Sequence, residues 1–196
     1  MRDAQKNRYI PMSGQVDFKV DPKRNEQSVV LTRAVAKVRF QVADNSESKV
    51  TNIRIANAKE AGFCLGLNPG EVFNVPSVTT GQGLSELLVS SKELSAGQSV
   101  DFYIPEQDID PQQIALQTSI WIAFDHKDKE DKQIYFAYYG PDGNIDPSKG
   151  TEQGYYNIER NHLYTFIVNK KKDENKVDVQ VSVMPWTTHD LNTDFE

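Results

Sequence analysis

The strongest constraint on this chain is a two-residue alternation of apolar and polar side chains. Residues 29–42 read VVLTRAVAKVRFQV, where the even positions are almost all apolar and several odd positions are Arg33, Lys37, Arg39 and Gln41. Successive side chains of a β-strand point to opposite faces, whereas an amphipathic helix repeats about every 3.6 residues. The segment therefore predicts a half-buried strand whose odd positions face solvent.

The same alternation recurs along the chain. Residues 116–124 place Leu116, Ile120 and Phe124 on one face, and residues 177–183 (VDVQVSV) alternate without a break. Other segments are predicted as strands because they are rich in β-branched and aromatic residues. These are residues 100–104, 133–139 and 163–169, with shorter strands at 53–56, 63–67, 72–75 and 87–89. Short helical turns are predicted near residues 84–88 or 108–113.

Turn-forming sequences separate these segments, as in NPG at residues 68–70 and GPDGN at 140–144. Proline presets φ and glycine supplies positive φ, so both stretches are predicted to be loops. Many short strands without alternating helices predict an all-β fold, either a sandwich or a barrel. The length of 196 residues suits one sizeable domain, or one domain plus a fragment.

Composition limits the partners of the chain. The net charge is −6, and the one basic run, residues 170–172, is followed at once by acidic residues. A nucleic-acid partner is not expected, because phosphate binding needs clustered Lys and Arg. The single cysteine, Cys64, lies in an apolar run and is interpreted as a small buried residue. The sequence contains no apolar stretch of signal-peptide type or of membrane-spanning length.

Catalytic and metal-binding motifs were also sought. The sequence has no nucleophile elbow, zinc-binding helix motif, Walker loop or dinucleotide fingerprint. The three histidines, His126, His162 and His189, lie far apart in sequence. Residues 142–146 (DGNID) begin like a calcium loop, but Pro147 stands where that loop needs glycine and Gln153 where it needs glutamate. We therefore expect no metal, no cofactor and no enzymatic activity.

Residues 156–166, YNIERNHLYTF, place Glu, Arg, Asn and His at four consecutive positions, and the question is whether they form an active site or lead into a strand. An enzyme would use Glu159 or His162 as acid or base, with Arg160 holding an anion. Strand alternation extended back from residue 163 instead puts Arg160 and His162 on one face, and Glu159 and Asn161 on the other. We therefore interpret the cluster as a polar entry into a strand, in which the side chains satisfy backbone groups.

Several segments together resemble the fimbrillin family, the subunits of type V pili of anaerobic Gram-negative bacteria. The resemblance rests on LTRAVAKVRF at residues 31–40, NIERNHLY at 157–164 and VDVQVSVMPW at 177–186. IPMSG at residues 10–14 and YIPE at 103–106 also fit the family pattern. The order and spacing of these segments make the match more specific than any one of them.

The resemblance implies an antiparallel, transthyretin-like β-sandwich of Greek-key type. It implies that residues 1–27 are a remnant strand and linker of a preceding domain, and that residues 28–196 form the family's C-terminal domain. It also implies that Trp186 plugs the end of the sandwich. The residues matched to family motifs, all with structural roles, are Arg33, Arg160, Asn161, His162, Tyr164 and Trp186.

The implied function is that of a structural subunit of a cell-surface fimbria at the outer membrane, in a stalk, tip or anchor position. Family subunits assemble when a donor strand adds to a neighbour's sheet. The tail after Trp186 is the possible donor here, with Leu191 and Phe195 as its large apolar residues, although a frayed terminus remains an alternative.

A second hypothesis is a monomeric surface adhesin or carbohydrate-binding module, with a host protein or glycan as partner. Sugar rings stack on aromatic faces, and several tyrosines lie close together in sequence. They are Tyr135, Tyr138, Tyr139, Tyr155 and Tyr156. A contiguous exposed aromatic patch would favour this hypothesis, whereas an unpaired sheet edge would favour the fimbrial subunit.

Overall fold

The computed structural model describes residues 10–14, 29–59, 84–90, 92–108, 113–125, 132–150, 154–172 and 176–186. Within these residues the chain forms ten strands and one short 3-10 turn. The strands are β1 (Met12–Ser13), β2 (Thr32–Arg33), β3 (Val35–Val42), β4 (Val50–Lys59), β5 (Leu84–Ser90), β6 (Ser99–Pro105), β7 (Ser119–Phe124), β8 (Lys132–Tyr135), β9 (His162–Lys170) and β10 (Val177–Pro185). The 3-10 turn, Ile114–Leu116, precedes β7.

Eight of the strands form two four-stranded sheets. Sheet I has the order β10-β9-β3-β6, and sheet II has the order β5-β4-β7-β8. The remaining pair, β1 and β2, is a short antiparallel ribbon that continues into β3. From β3 to β10 the chain crosses between the two sheets four times, so each sheet contains strands that are distant in sequence. The all-β class predicted from alternation is confirmed, and two four-stranded sheets are consistent with the sandwich that the family resemblance implies.

One neighbour relation differs from the predicted antiparallel fold. Strands β3 and β9 pair in parallel, with Val38 opposite Tyr164 and Phe40 opposite Phe166. The other described strand pairs of both sheets are antiparallel. Alternation defines the two faces of a strand but neither its neighbour nor its direction, which is why the sequence did not predict this pair.

Several predicted elements need correction. Residues 84–88 lie in strand β5 and not in a helical turn. The strand predicted at 133–139 ends at Tyr135, and isolated bridges connect Ala137 to Tyr155 and Tyr139 to Ile145. The predicted strands at 63–67 and 72–75, together with Cys64, lie outside the described residues, as does most of the turn predicted at 108–113.

The main core lies between the two sheets. The even positions of β3 are fully buried there, and Phe40 and Phe166 meet Ile53 and Ile120 of sheet II in one cluster. Edge-to-face contacts join Phe136 to Phe166 at 4.8 Å and to Tyr164 at 5.6 Å between ring centroids. Such aromatic pairs add roughly 1 kcal/mol each beyond the area they bury.

The segment at residues 10–14 lies against the residues that lead into β3. Met12 pairs with Arg33 and Ser13 with Thr32, and the backbone N–H of Ala34 donates to the carbonyl of Pro11 at 2.9 Å. A Cβ on Gly14 would lie 2.2 Å from the carbonyl oxygen of Val30, so the two backbones approach too closely for any other residue.

Candidate functional site around Trp186

The entry into β9 is organised by Asn161. Its φ is 57°, a left-handed conformation that Asn tolerates because its short side chain can hydrogen-bond locally. The Asn161 backbone N–H donates to the Val35 carbonyl at 2.9 Å, and the Asn161 carbonyl accepts from the Trp186 N–H at 2.7 Å. This turn therefore ties β3, the start of β9 and the residue after β10 together.

Arg33 adds a side-chain link to the same junction. Its Nη1 atom donates to Oδ1 of Asn161 and to the carbonyl oxygen of Trp186, both at 2.9 Å. Its guanidinium carbon lies 4.2 Å from the centroid of the Trp186 ring. A guanidinium suits this position because it can stack on an aromatic ring and still donate hydrogen bonds. Arg33 is 4% exposed, so the prediction that it faces solvent is wrong.

Trp186 packs on the outer face of sheet I. Its ring stacks on Tyr103 with centroids 5.7 Å apart and planes 17° from parallel. Val35 and Leu163 lie beneath it, and Ile10 packs beside it; these five residues are called the Trp186 cluster. The cluster is separate from the main core. Trp186 therefore joins the two ends of the described chain, and does not plug the end of the sandwich.

Charged residues border the cluster along β3. Lys37 lies 5.6 Å from the Trp186 ring centroid and 3.1 Å from Oδ2 of Asp101, and it is 8% exposed. Arg39 donates two hydrogen bonds to Asp101, at 2.8 and 3.0 Å. Burial alone would raise the pKa of Asp101, but these hydrogen bonds outweigh it and lower the pKa from its ordinary value. The predicted solvent-facing row is thus half buried, because Trp186 covers its first part.

Arg160 turns away from Trp186 and towards the end of β6. Its Nε donates to Oε2 of Glu106 at 2.7 Å, and Nη2 contacts Oε1 of the same carboxylate. Both side chains are mostly buried, with 14% of Arg160 and 12% of Glu106 exposed. Two parallel contacts of this kind fix both the position and the orientation of the pair.

His162 lies on the same side of the chain as Glu159. Its Nδ1 lies 3.6 Å from Oε2 of Glu159 and 3.0 Å from the carbonyl oxygen of Arg160. The prediction that Glu159 shares a face with Asn161, opposite Arg160 and His162, is therefore wrong. The left-handed residue Asn161 interrupts the extended backbone, so alternation starts at His162 and does not extend back through the turn.

Tyr164 holds the same turn from within the core. Its hydroxyl donates to the Asn157 carbonyl at 2.7 Å and accepts from the Glu159 N–H at 2.8 Å. The residue is 1% exposed. Burial raises the pKa of this hydroxyl, so it stays protonated and donates at any physiological pH.

The tyrosines considered for sugar stacking do not form a fully exposed patch in the described part of the chain, since each is buried or half buried. Tyr138 and Tyr156 instead pack against each other, with ring centroids 4.0 Å apart and planes tilted by 34°. They line a cleft of about 400 Å³ together with Glu159, His162 and Met184; we call it the tyrosine cleft. Burial raises the pKa of Tyr156, so its hydroxyl is a hydrogen-bonding group and not a base.

The acidic turn at residues 142–146 uses its carboxylates locally. Asp142 accepts from the backbone N–H and side-chain amide of Asn144 at 3.1 and 2.8 Å, and Asp146 accepts from Ser148. These hydrogen bonds lower the pKa of both carboxyl groups. Across the described residues no group of three or more His, Cys, Asp or Glu side chains is placed to hold a metal ion. The same residues contain no helix with the length and apolar character needed to span a membrane.

The structure therefore brings together Arg33, Asn161 and Trp186, and places Arg160, His162 and Tyr164 around the same turn. Leu191 and Phe195 of the possible donor tail lie outside the described residues, as do His126 and His189. Tyr103 and Glu106 are contact residues that the sequence reasoning missed as partners. The YIPE segment that contains both residues fits the family pattern, but their contacts follow from the pairing of β3 with β6, which no local pattern indicates.

Comparisons with known proteins identify the fold. No protein-family model matches the chain, and no curated protein sequence matches it. Among solved structures, it is similar to the tip fimbrial protein Mfa3 from Porphyromonas gingivalis, solved with a C-terminal truncation. The identity is 18% and the TM-score is 0.55, and the match covers 80% of this chain and 52% of that one.

Two candidate cell adhesion proteins of known structure are also similar. One, from Parabacteroides distasonis, is 14% identical with a TM-score of 0.46, over 81% of this chain and 53% of its own. The other, from Bacteroides uniformis, is 10% identical with a TM-score of 0.39, over 82% and 54%. This chain thus spans about half the length of the structures it matches. The likeness to Mfa3 confirms, for the fold, the resemblance that the sequence motifs indicated.

Proposed function

We propose that this chain is a structural subunit of a bacterial cell-surface fimbria and assembles by β-strand addition between subunits. The observation that supports this most is the shared fold with a fimbrial tip protein over four-fifths of the chain. Motifs at three separate places in the sequence support the same family. The subunit would occupy a stalk, tip or anchor position in a fimbrium at the outer membrane, with other fimbrial subunits as its partners.

The finer architecture belongs to the same proposal. We assign the sandwich to the transthyretin-like, Greek-key type, with residues 28–196 as a C-terminal domain and residues 1–27 as the last strand and linker of a domain before it. The β1–β2 ribbon supports this assignment, because it leads the earlier segment directly onto β3.

In this proposal the Trp186 cluster fixes the place where the donor tail leaves the domain. Arg33 and Asn161 hold the backbone of Trp186 from both sides, through its carbonyl and its N–H. The tail then begins at a rigid point, which lowers the conformational entropy lost when it adds to another sheet. Strand addition would bind through main-chain hydrogen bonds, with Leu191 and Phe195 entering pockets of the neighbour.

The test is the oligomeric state of the purified chain by size-exclusion chromatography with light scattering. The intact chain is compared with one ending at Trp186, and with Leu191→Ser combined with Phe195→Ser. The proposal is supported if the intact chain forms a series of higher oligomers and both the deletion and the double variant abolish them. Thr193→Ser serves as the matched control in the tail and is expected to leave assembly unchanged. If the intact chain and the chain ending at Trp186 are both monomeric at all concentrations, assembly through the tail is contradicted.

A second candidate function is favoured by one observation, the tyrosine cleft. The packed rings of Tyr138 and Tyr156 beside Glu159 and His162 combine aromatic surface with hydrogen-bonding groups, as sugar-binding sites do. A monomeric surface adhesin for a glycan or host protein would use this cleft. Titration with a panel of methyl pyranosides, followed by saturation-transfer NMR, separates the two: specific transfer that Tyr138→Ala abolishes supports the adhesin.

A further inference from the structure

Strand β10 is an unusually complete edge of sheet I. All nine residues of Val177–Pro185 pair with β9 without a register shift. Among the described strands, nothing pairs with its other side. An extended strand of this length presents a row of unpaired backbone groups roughly 30 Å long. Edges of this kind bind a further strand unless the protein protects them.

The other three described edges show such protection. Strand β5 pairs with β4 through two register shifts, and β8 has four residues. Strand β6 ends at Pro105, and its Asp101 is held by Lys37 and Arg39. Bulges, short length, proline and charge each oppose strand addition. Strand β10 likewise ends in a proline, Pro185, and carries one acidic residue, Asp178. What distinguishes its edge from the other three is length, because nine consecutive residues pair with β9 without a register shift.

The inward face of β10 is incompletely covered. Val177 and Val179 are buried, but Val181 and Val183 are half buried. On the outward face of the same strand, Met184 is 49% exposed. Val183 and Met184 also border the tyrosine cleft. A further strand beside β10 would bury these apolar side chains, which is favourable at about 25 cal/mol per Å² of apolar surface.

We propose that β10 pairs with β10 of a second copy of this chain. Full overlap of the nine residues in antiparallel register centres the pair on Val181, which lies opposite its own symmetry mate. Inward valines then meet inward valines, with Val179 opposite Val183 of the partner. On the outward face Gln180 lies opposite Ser182, and Asp178 lies opposite Met184. The strand is thus self-complementary, because no like charges are opposed.

This pairing is distinct from the proposed assembly through the tail. A two-fold contact uses the same surface on both copies and closes on itself. It joins sheet I of two subunits into one eight-stranded sheet side by side, whereas tail addition links subunits head to tail. Pairing through β10 depends on the geometry of this edge alone, so it does not require the fimbrial function to be correct.

The test uses charge pairs placed across the predicted register. Variant one is Gln180→Lys with Ser182→Lys, and variant two is Gln180→Glu with Ser182→Glu. Each variant puts like charges opposite each other in its own dimer, whereas a mixture puts Lys opposite Glu. We expect at least a tenfold weaker dimerisation for each variant alone and recovery in the mixture, measured by analytical ultracentrifugation of the full chain.

Two controls separate this result from general charge effects and from the tail. Ala96→Lys with Ser99→Lys adds the same charge near the β6 edge and is expected to leave the dimer unchanged. The chain ending at Trp186 is expected to dimerise through β10 as the intact chain does, even if tail-dependent assembly is lost. A monomeric wild-type chain at several hundred micromolar, or no recovery on mixing, overturns the proposal.

Discussion

Arg33 of β2 and Arg39 of β3 lie six residues apart along one continuous segment, yet their surroundings differ completely. Arg33 is buried against Trp186 and donates to the buried carbonyl of Trp186 and to the part-buried amide oxygen of Asn161. Arg39 is 40% exposed and pairs with one surface carboxylate. Exposed ion pairs contribute little because solvent screens them, whereas removing a buried donor leaves its acceptors without partners.

The two arginines therefore form a matched pair for mutation. We expect Arg33→Ala to lower the free energy of unfolding by about 3 kcal/mol, because the carbonyl of Trp186 and the amide of Asn161 lose their donor. Arg39→Ala is expected to lower it by less than about 1 kcal/mol. Urea denaturation followed by circular dichroism measures both. Equal losses for the two variants would show that the Trp186 junction adds nothing to stability.

Alkaline pH is expected to destabilise the fold through its buried tyrosines. Burial raises the pKa of Tyr139 from 10.0 to about 12, and burial also raises that of Tyr164. A raised folded-state pKa contributes stability that is complete below pH 10 and is lost as pH rises towards the folded value, because the unfolded chain ionises first. The loss of stability from Tyr139 approaches roughly 3 kcal/mol above the folded-state pKa.

The variant Tyr139→Phe tests this expectation. It removes the acceptor of the Tyr135 N–H at every pH, so it lowers stability throughout. Between pH 10 and 12, however, its free energy of unfolding should fall less steeply than that of the wild type. Denaturation series at pH 7, 10 and 11.5 give the slopes, and parallel curves for the two proteins would contradict the assignment.

At the scale of elements, the segment between β8 and β9 depends on close backbone packing. Gly154 has φ of 80°, and a Cβ there would lie 2.5 Å from the backbone oxygen of Asp146. Gly97 has nearly the same φ, 78°, but its Cβ would meet a side-chain oxygen of Asp44 at 3.0 Å. The backbone contact cannot relax as a flexible side chain can.

Alanine at the two glycines should therefore have unequal effects. We expect Gly97→Ala to cost about 1 kcal/mol, the strain of a left-handed backbone alone. Gly154→Ala should cost about 3 kcal/mol, because overpacking adds to the same strain. Thermal unfolding by calorimetry compares them. A cost at Gly154 no larger than at Gly97 would mean that the segment shifts freely to admit a methyl group.

Local sequence patterns predicted a strand well where one of its faces is buried and the other faces solvent. Strands β9 and β10 and the second half of β3 alternate in burial as their sequences do, because one face packs into the main core. Arg33 and Lys37 broke the pattern because Trp186, 153 residues after Arg33, covers their face. Such a contact depends on the parallel neighbour β9 and on the turn at Asn161, and neither is encoded within a window of adjacent residues.

At the scale of the whole molecule, the main core and the Trp186 cluster stabilise different parts of the structure. The main core joins sheet I to sheet II, so its loss should unfold the entire domain. The Trp186 cluster joins residue 10 to residue 186 on the outer face of one sheet. It is smaller and peripheral, and we expect it to open without unfolding the sandwich, since local openings need much less free energy than global ones.

Tryptophan fluorescence can separate the two clusters, because the chain has two tryptophans and Trp121→Phe leaves Trp186 as the sole reporter. In that background Ile10→Ala should shift the emission to longer wavelength, since it uncovers the indole, while costing about 1 kcal/mol. Val29→Ala, at a residue 47% exposed in the same N-terminal region, should change neither quantity. Phe166→Ala should cost about 3 to 5 kcal/mol, because it leaves a cavity between the sheets. If Ile10→Ala destabilised the fold as much as Phe166→Ala does, the two clusters would form one cooperative unit, and the exit of the chain at Trp186 could not open independently of the sandwich.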